Sequence, residues 1–580
     1  MSRWNKLSVK RLKFGPYEIA ALIIIALAVL LRIFLISKGW PETDSDEGTM
    51  GLEAMHIAFR GEHPVFLYGQ NYMGTIEAYL GALLFRLFGV SLFFLRLDMV
   101  LIFTLFLAGM YLLTSLLYTQ KLALVTLALL SVGARNVLLP EIRAVGGAVE
   151  TLLFGTTLLL LASWLALTAE QDPLPRKRRW RLLAYGCWGL TMGLGLWSHI
   201  LVVPFVLMGG LILVMFCRRE VRTWALFWLF VGLVIGALPL IYYNATAPSG
   251  QNSLVIALSI HSTSGSGIPP GSATLAKQLS GTMLYSLPIA TGISPLCKLQ
   301  ELPLFGPASP NPPLCIFMQG GWSLAYITLM VLAIVLTIVP LWKLWQRHRS
   351  QPQEWTSEER QETIIHFARL MLLCSAGLTL VLFAISPLAA LNRESTRYLI
   401  GLLIATPAVL WPVWHGMSSR GKLPTRRSEV LKIVLRGGFI LLIGVTFLVG
   451  TINNFSEIAG NERLNQQDAT LAHDLVQDGI THIYSGYWIC DRLTFASQEQ
   501  VICSVVSLQL KNGLNRYSPY YTIVTADAKA PYVFPLGSDF ALAAARNPGL
   551  SSGHYRQFVL DGYVVYQPIG TGLSTTGRKN

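Results

Sequence analysis

Long apolar runs, separated by short polar or charged stretches, recur along the chain up to about residue 452. Runs of about 17–25 apolar residues match helices that cross the hydrocarbon core of a bilayer, which is about 30 Å thick. The pattern predicts an all-α polytopic membrane protein with about eleven spans. The predicted spans are 17–37, 93–118, 121–139, 148–168, 183–198, 200–217, 224–243, 321–342, 366–388, 398–416 and 435–452.

One apolar run, 75–89, is only about 15 residues long and contains Glu77 and Arg86. If this run crossed the membrane, the basic stretch 176–181 would lie outside, although loops rich in Lys and Arg normally stay in the cytoplasm. We therefore interpret 75–89 as an interfacial or re-entrant helix within a first outer loop, 38–92. Successive spans then alternate in direction, which places the N-terminus inside. The segments predicted to lie outside are 140–147, a hinge near Ser198 and His199, 244–320, 389–397 and everything after about 453.

The hydrophobic pattern changes after about residue 453. The stretch "ERLNQQDATLAHDLVQDG" has the spacing of a polar helix and ends at Gly479, a typical helix stop. The stretches "THIYSGYW", "QVICSVVS" and "GYVVYQPI" have the pattern of strands. We predict a membrane domain over 1–452 and a small extracytoplasmic α/β domain over 453–580.

Composition narrows the class of protein without changing this picture. The 580 residues are 53% hydrophobic and 13% charged, with a mean hydropathy of +0.51, whereas soluble domains carry about twice that share of charge. The net charge of +14 does not require a nucleic-acid partner, because inner loops of membrane proteins collect Lys and Arg for topological reasons. The sequence contains no P-loop, no G-x-G-x-x-G before a helix, no Cys/His zinc array and no nucleophile elbow. Energy coupling by nucleotide hydrolysis is therefore unsupported.

The seven cysteines fall into two groups. Three lie in predicted spans, where a thiol behaves as a small apolar group. The other four lie in predicted outer segments and permit two disulfides: Cys297, Cys315, Cys490 and Cys503. The close-spaced pairings 297–315 and 490–503 are the simplest, and the sequence does not fix the connectivity.

Three carboxylates crowd together just after the first span, at Asp44, Asp46 and Glu47. Residues 46–60 have helical spacing, and acids in a first turn suit the helix dipole, so one interpretation is a solvated acidic helix start. The other is catalytic, because a helix along the membrane surface presents its N-terminal acids to an outward cavity, where a carboxylate can act as general base. The D-x-D string does not favour a nucleotide-sugar site, since this loop is predicted to face away from the cytosol.

Further ionisable residues are predicted on the same face. Glu141 and Arg143 lie in a short loop between two spans, where charged groups are functional candidates or form an interfacial ion pair. Arg393, Arg397 and Tyr398 open a later span. Two arginines can clamp a phosphate, although an Arg-Tyr edge also anchors lipid headgroups.

Two single residues complete the set of candidates for the substrate-binding site. His199 lies at a tight outer hinge, where a histidine serves as a structural hydrogen-bonding group or as a ligand. Glu77 opens the interfacial helix and is a candidate supporting carboxylate. His56 and His63 lie near the acids, but no metal-ligand spacing joins them.

Two stretches carry a resemblance to a known group of proteins. They are "DEGTMGLEAMHIAFRGEHPVFLYGQNYMGTIEAYLGALLFRLFGVSLFFLRL" at 46–97 and "RESTRYLIGLLIATPAVL" at 393–410. With the basic start and the single span before them, they resemble the GT-C type of lipid-donor glycosyltransferases, in particular the protein-mannosyltransferase and aminoarabinose-transferase superfamily and its bacterial relatives. The resemblance covers roughly 1–450.

The resemblance implies an enzyme that takes a sugar from polyprenyl phosphate and passes it to a lipid, glycan or protein acceptor. Asp46 would be the base on the acceptor hydroxyl, with Glu47 as the second acid of the catalytic pair. Arg393 and Arg397 would meet the donor phosphate, and Glu141 would shape the site. A divalent cation on Glu47 or Glu141 is also compatible with the resemblance. A single displacement would invert the anomeric configuration.

One segment departs from that group. Where the group often carries Lys-Pro-Pro before the interfacial helix, this chain has "NYMGTIEAYL", which includes Glu77. Donor or acceptor contacts near that segment therefore need not transfer. Because the nearest look-alikes are bacterial and glycosylation sequons are sparse, we expect the bacterial inner membrane, with the N-terminus in the cytoplasm and the C-terminal domain outside.

Other functions remain open for such a chain. A transporter or lipid flippase would predict acids buried mid-span and broken helices in two related halves, whereas here the acids cluster at one predicted face and no repeat is visible. A non-catalytic scaffold that presents 453–580 is another alternative. Among enzymes, a polymerase or ligase of diphosphate-linked glycans would differ by releasing a diphosphate carrier.

Overall fold

Helices make up the predicted membrane domain. A computed structural model of the chain describes residues 15–169, 175–248, 250–260, 273–293, 312–350, 356–390, 393–415, 427–551 and 553–569. The first described helices are α1 (Pro16–Ser37), α2 (Ser45–Met55), α3 (Ile76–Phe88), α4 (Leu92–Leu117), α5 (Gln120–Ser131), α6 (Arg135–Ile142), α7 (Ala148–Leu167), α8 (Pro175–Ser198), α9 (Val203–Phe216) and α10 (Arg218–Val221). They are followed by α11 (Trp224–Gly236), α12 (Leu238–Thr246), α13 (Ser253–Ile260), α14 (Leu275–Gly281), α15 (Leu287–Ala290), α16 (Pro313–Ser350), α17 (Ser357–Ala384), α18 (Thr406–His415) and α19 (Arg427–Gln477). Additional 3₁₀ and π turns are His56–Arg60, Ile200–Val202, Thr282–Ser286, Pro387–Ala390 and Arg393–Ala405.

Seven helices in the part of the chain that the structure describes are long and apolar enough to cross a membrane. Two further candidate spans are bent pairs: α5 with α6, at 86°, and α11 with α12, at 62°. The two remaining predicted spans correspond to α8 and to the shorter apolar helix Ile200–Phe216. Every predicted span thus coincides with a helix or a bent pair, and the predicted polytopic helical fold of an integral membrane protein is confirmed.

The first predicted outer loop contains the two expected helices. Helix α2 begins after Asp44, continues into the π turn His56–Arg60 and ends at Gly61, whose φ of 70° lies in the left-handed region that glycine adopts without steric cost. Helix α3 matches the short apolar run 75–89. The two helices pack against each other, and α3 packs against α4. The acids at the start of α2 therefore lie beside the membrane domain.

The break between α5 and α6 corrects the predicted straight span 121–139. At the break, the N–H of Gly133 donates to Oγ1 of Thr451 in α19 at 2.9 Å, and α19 packs closely against the turn. This contact satisfies a backbone group that the bend frees, as a lipid-facing break could not. The chain then continues as α6, so Glu141 lies in a helix instead of the predicted loop 140–147.

The described C-terminal part contains a five-stranded sheet with helices packed against it. Strand order is β2-β1-β3-β5-β4; β1 is parallel to both β2 and β3, whereas β5 is antiparallel to both β3 and β4. The elements are β1 (His482–Ser485), α20 (Tyr487–Ala496), β2 (Ile502–Val505), α21 (Ser518–Ala526), β3 (Tyr532–Pro535), α22 (Asp539–Ala545), α23 (Pro548–Ser551), β4 (Tyr555–Leu560) and β5 (Tyr563–Pro568). The predicted small α/β domain is confirmed. Its sequence pattern indicated β1, β2 and β5 and missed the other two strands.

Two further observations concern the predicted organisation of the chain. The predicted boundary at residue 452 falls inside α19, which runs without a break from the membrane domain towards the sheet. Cys490 and Cys503 form a disulfide that joins α20 to β2. Cys315 is also disulfide-bonded, and its predicted partner Cys297 lies outside the described residues.

Candidate active site

The N-terminus of α2 gives the three neighbouring acids three different environments. Asp44 is the N-cap: its Oδ1 accepts a hydrogen bond from the backbone N–H of Glu47 at 3.0 Å, which satisfies a donor that the helix leaves unpaired. Its Oδ2 accepts from Nη1 of Arg143 at 2.5 Å. Burial raises the pKa of Asp44, although Arg143 opposes the shift. Asp44 and Arg143, both predicted substrate contacts, therefore fix the helix start to the segment after α6.

Glu47 forms a fully buried ion pair with Arg96 of α4. The guanidinium donates from Nε to Oε1 at 2.7 Å and from Nη2 to Oε2 at 2.6 Å, and both side chains are completely buried. Such a two-point arrangement is strong and directional, and it occupies both carboxylate oxygens. Glu47 therefore anchors α2 to the membrane domain, and its predicted roles in catalysis or cation binding stay predictions.

Glu141 has a similar internal partner. Its Oε2 accepts from Nη2 of Arg32 in α1 at 2.5 Å, and both side chains are completely buried. The predicted neighbour Arg143 pairs with Asp44 instead. In the described residues, no group of three or more His, Cys, Asp and Glu side chains is arranged to hold a metal ion. The ion pair engages Oε2 of Glu141, and the predicted roles of this residue in shaping the site or holding a cation stay predictions.

Glu77 also lies inside the protein. Its Oε2 accepts from the backbone N–H of Gly146 at 2.9 Å, and its neighbours include the buried acids Glu150 and Asp98. The contact ties α3 to the segment that follows α6. The structure thus gives Glu77 an internal contact, and its predicted role as a supporting carboxylate of the site stays a prediction.

Asp46 differs from the other acids because its partners come from the C-terminal domain. Its Oδ1 accepts hydrogen bonds from the hydroxyl of Tyr487 and from Nη2 of Arg516, each at 2.6 Å. Burial would raise the pKa of Asp46, but Arg516, Tyr487 and Arg397 together hold that pKa below its ordinary value. Asp46 is therefore an ionised carboxylate at neutral pH. The described bonds from both donors go to Oδ1, so neither occupies Oδ2.

A chain of aromatic side chains begins at Arg397, whose charge acts on the Asp46 carboxylate. The Arg397 guanidinium lies 5.5 Å from the ring centre of Tyr398. The Tyr398 ring is 6.1 Å from that of His199, and the His199 ring is 6.2 Å from that of Tyr72. Tyr72 lies within electrostatic reach of both Arg397 and Asp46. We call Asp46, Tyr72, His199, Arg397, Tyr398, Tyr487 and Arg516 the candidate site.

Gly147 provides the close approach that this arrangement needs. A Cβ atom at this position would lie 2.5 Å from Cδ2 of His199, and the φ of Gly147 is +78°. Both the space and the backbone conformation therefore require glycine. His199 also caps the turn Ile200–Val202, because its Nδ1 accepts from the N–H of Leu201 at 3.2 Å.

The structure thus brings together four of the sequence-predicted residues: Asp46, His199, Arg397 and Tyr398. The helical turn Arg393–Ala405 begins at Arg393, but the side chain of Arg393 lies outside the described residues. The sequence analysis missed Tyr487 and Arg516, which lie 441 and 470 positions from Asp46. No spacing in the sequence signals that contact, because it depends on how the C-terminal domain docks.

Comparisons with known proteins address the fold. No protein-family model and no curated protein matches the chain. Among solved structures, ArnT from Cupriavidus metallidurans bound to undecaprenyl phosphate matches with a TM-score of 0.53 at 14% identity, over 95% of this chain and 98% of that chain. The apo state of ArnT matches with a TM-score of 0.47 at 14% identity, over 94% and 97%. An Archaeoglobus fulgidus oligosaccharyltransferase tethered with an acceptor peptide has a TM-score of 0.46 at 13% identity, over 95% and 74%. The first match shows that this chain shares its overall fold with that ArnT structure, as the resemblance in the sequence predicts.

Proposed function

We propose that this protein is a glycosyltransferase that moves a sugar from a polyprenyl-phosphate donor to an acceptor hydroxyl, with Asp46 as general base. The observation that carries the proposal is the Asp46 carboxylate, held at Oδ1 by Tyr487 and Arg516 and within electrostatic reach of the cation Arg397, on a fold shared with a protein bound to undecaprenyl phosphate. Asp46 and Arg397 supply the two charges that the reaction needs: a base for the nucleophile and a cation for the leaving phosphate.

The surroundings of Arg397 suit a lipid phosphate. Arg397 lies near the start of the helical stretch Arg393–Ala405, and no ion-pair partner of Arg397 is found among the described side chains. Further along the same stretch, Leu402 and Leu403 line a mostly apolar cavity of about 530 Å³. At about 2.0 Å per residue in a 3₁₀ helix, five residues place this lining about 10 Å from Arg397. In the proposed complex, a phosphate at Arg397 would have its isoprenoid chain run along this stretch towards the cavity.

The proposed step is a single displacement at the anomeric carbon. The acceptor hydroxyl gives its proton to Oδ2 of Asp46 while its oxygen forms a bond to the anomeric carbon. The bond from that carbon to the phosphate oxygen breaks, and the phosphate leaves with its charge stabilised by Arg397. Attack opposite to the leaving group inverts the configuration. General base catalysis of this kind contributes about 10²–10⁴-fold to the rate.

The decisive experiment compares Asp46→Asn with wild type in proteoliposomes. The donor is the lipid-linked sugar that accumulates in a strain lacking the gene, identified by mass spectrometry, and transfer to acceptor is followed with the labelled donor. We expect Asp46→Asn to lose at least about 10²-fold in turnover, while Asp539→Asn, an exposed acid of the C-terminal domain, keeps wild-type turnover.

Each outcome of this experiment has a clear meaning. Wild-type turnover in Asp46→Asn would remove Asp46 from the role of base. Movement of lipid across the bilayer without any covalent product would favour the transporter alternative. A released carrier with a diphosphate would place the enzyme among those that use diphosphate-linked glycans, and retention of the anomeric configuration would contradict the single displacement.

A further inference from the structure

The C-terminal domain reaches into the candidate site through two side chains. Tyr487 is the first residue of α20, and Arg516 lies just before α21. Besides their bonds to Oδ1 of Asp46, the two are joined to each other, since Nε of Arg516 donates to the Tyr487 hydroxyl at 2.6 Å. Three groups therefore form a closed triangle around one carboxylate oxygen.

Arg516 has no donor to spare for a substrate. Its Nη1 donates to the backbone carbonyl of Tyr68 at 3.3 Å, and the Gln70 amide oxygen, when it faces the guanidinium, accepts from both terminal nitrogens at 2.8 and 3.0 Å. The side chain is 3% exposed. A guanidinium whose N–H donors are all hydrogen-bonded holds its partners in a fixed geometry. Arg516 is thus suited to orient Asp46, in contrast to Arg397.

The docking of α20 on α2 is close enough to make this orientation rigid. A Cβ atom on Gly48 would lie 2.5 Å from the backbone N of Arg492, so the two helix backbones are in direct contact. Oγ1 of Thr49 donates to Oδ2 of Asp491 at 2.7 Å, and the N–H of Asp491 donates to Oγ of Ser45 at 3.1 Å. These contacts lie one helical turn from Tyr487 and hold it against Asp46.

We propose that the C-terminal domain is a part of the catalytic unit, in which Arg516 and Tyr487 are positioning residues that hold Oδ1 of Asp46 and leave Oδ2 directed at the acceptor. The inference rests on the proposed function, since it assigns a role to residues around the proposed base. Without these donors, a carboxylate beside Arg397 would pair with that cation, and both the base and the phosphate contact would be lost.

The titratable and charged groups that face Asp46 come from every element packed around it. They are Asp44, Tyr72, Arg397, Tyr487, Asp491 and Arg516. Of these, Arg516, Tyr487 and Arg397 favour the ionised carboxylate. Removal of Tyr487 or Arg516 therefore raises the pH at which Asp46 takes up a proton.

The chain offers a matched control for the test. In the same domain, the hydroxyl of Tyr563 donates to Oδ1 of Asp468 at 2.7 Å, and Arg492 donates to that hydroxyl at 3.2 Å. Tyr563→Phe thus removes the same kind of bond, from the same kind of Arg–Asp–Tyr group, away from Asp46. A comparable effect of Tyr563→Phe and Tyr487→Phe on thermal stability would show that folding does not account for differences in turnover.

The kinetic test measures transfer by Tyr487→Phe, Arg516→Lys, Arg516→Gln and Tyr563→Phe. We expect kcat to fall about 10–100-fold in Tyr487→Phe and Arg516→Gln, because a base misplaced by about 1 Å costs that much, with little change in KM. Arg516→Lys keeps the charge and recovers part of the loss, and Tyr563→Phe behaves as wild type. The acid limb of the pH profile moves to higher pH in Tyr487→Phe. Faster transfer in any Arg516 variant, or equal loss in Tyr563→Phe, would overturn the proposal.

A second measurement does not depend on transfer. Carbodiimides react with protonated carboxyl groups, so labelling of Asp46 in the full-length protein is measured by mass spectrometry across pH. We expect labelling of Asp46 to begin at higher pH in Tyr487→Phe and Arg516→Gln than in wild type and in Tyr563→Phe. Identical labelling curves would overturn the positioning role. If the curves shift and no sugar is transferred by wild type, the contact stands and the proposed function fails.

Discussion

The buried ion pair between Glu47 and Arg96 leads to a sharp prediction about two adjacent acids. Both partners are completely buried and joined by two bonds of 2.7 and 2.6 Å. Removal of one partner leaves an uncompensated charge in the interior, which costs about 3–5 kcal/mol. Since proteins are stable by only about 5–15 kcal/mol, Glu47→Gln should lower the unfolding temperature markedly. Asp46→Asn should lower it less, because Asp46 is 13% exposed in its pair with Arg516, and should abolish transfer.

The assay follows thermal unfolding of the detergent-solubilised variants together with transfer in proteoliposomes. The double variant Glu47→Leu/Arg96→Met removes both charges and keeps apolar volume, so it should recover most of the lost stability. A double-mutant cycle then separates the pair from its surroundings. Glu47→Gln with wild-type stability and no transfer would refute the reasoning, because it would make Glu47 a catalytic residue and not an anchor.

Three further predictions address packing, pH and the disulfide. Gly232→Ala should destabilise the α8–α11 contact, because the new Cβ would lie 2.0 Å from a carbonyl oxygen of the facing helix. Gly377→Ala has open space around it and should leave stability unchanged. Thermal unfolding of both variants checks this prediction. Burial raises the pKa of Glu53 to about 8, so the folded protein favours the protonated side chain. Its contribution to the free energy of unfolding therefore falls as the pH rises from about 4.3 towards 8. Glu53→Gln should flatten this decline between pH 5 and 8, and an unchanged slope of the unfolding free energy against pH would contradict the prediction. Replacement of Cys490 and Cys503 by Ser should lower stability by about 3 kcal/mol, because the bond closes a loop with a sequence separation of 13, and intact stability after reduction would disagree.

The helices of the membrane domain are the part of the fold that local sequence specifies best. In a bilayer, the backbone must satisfy its own hydrogen bonds, and a span needs about 20 apolar residues. Both requirements can be recognised from the local sequence alone, which is why the predicted spans 17–37 and 148–168 coincide with α1 and α7. The bend after α5 was not visible, since it depends on a partner in α19, 318 positions away.

The candidate site was less predictable than the fold. The sequence located the acids at the start of α2, because Asp44 has the chemistry of an N-cap and the run that follows has helical spacing. It could not separate Asp46 from Glu47, although neighbours on a helix point in directions about 100° apart. The partner that each side chain meets was needed to assign a role.

The sequence by itself determined the membrane spans, the start of α2 and the presence of a separate α/β domain, because each follows from local periodicity, apolar length or capping chemistry. Only the tertiary structure decided which partner each acid meets. Arg96 and Arg32 neutralise Glu47 and Glu141 in the interior, while Arg516 holds Asp46 at the junction with the C-terminal domain. These pairings join positions from 49 to 470 residues apart. They arise from the docking of whole elements, which no local pattern of residues encodes.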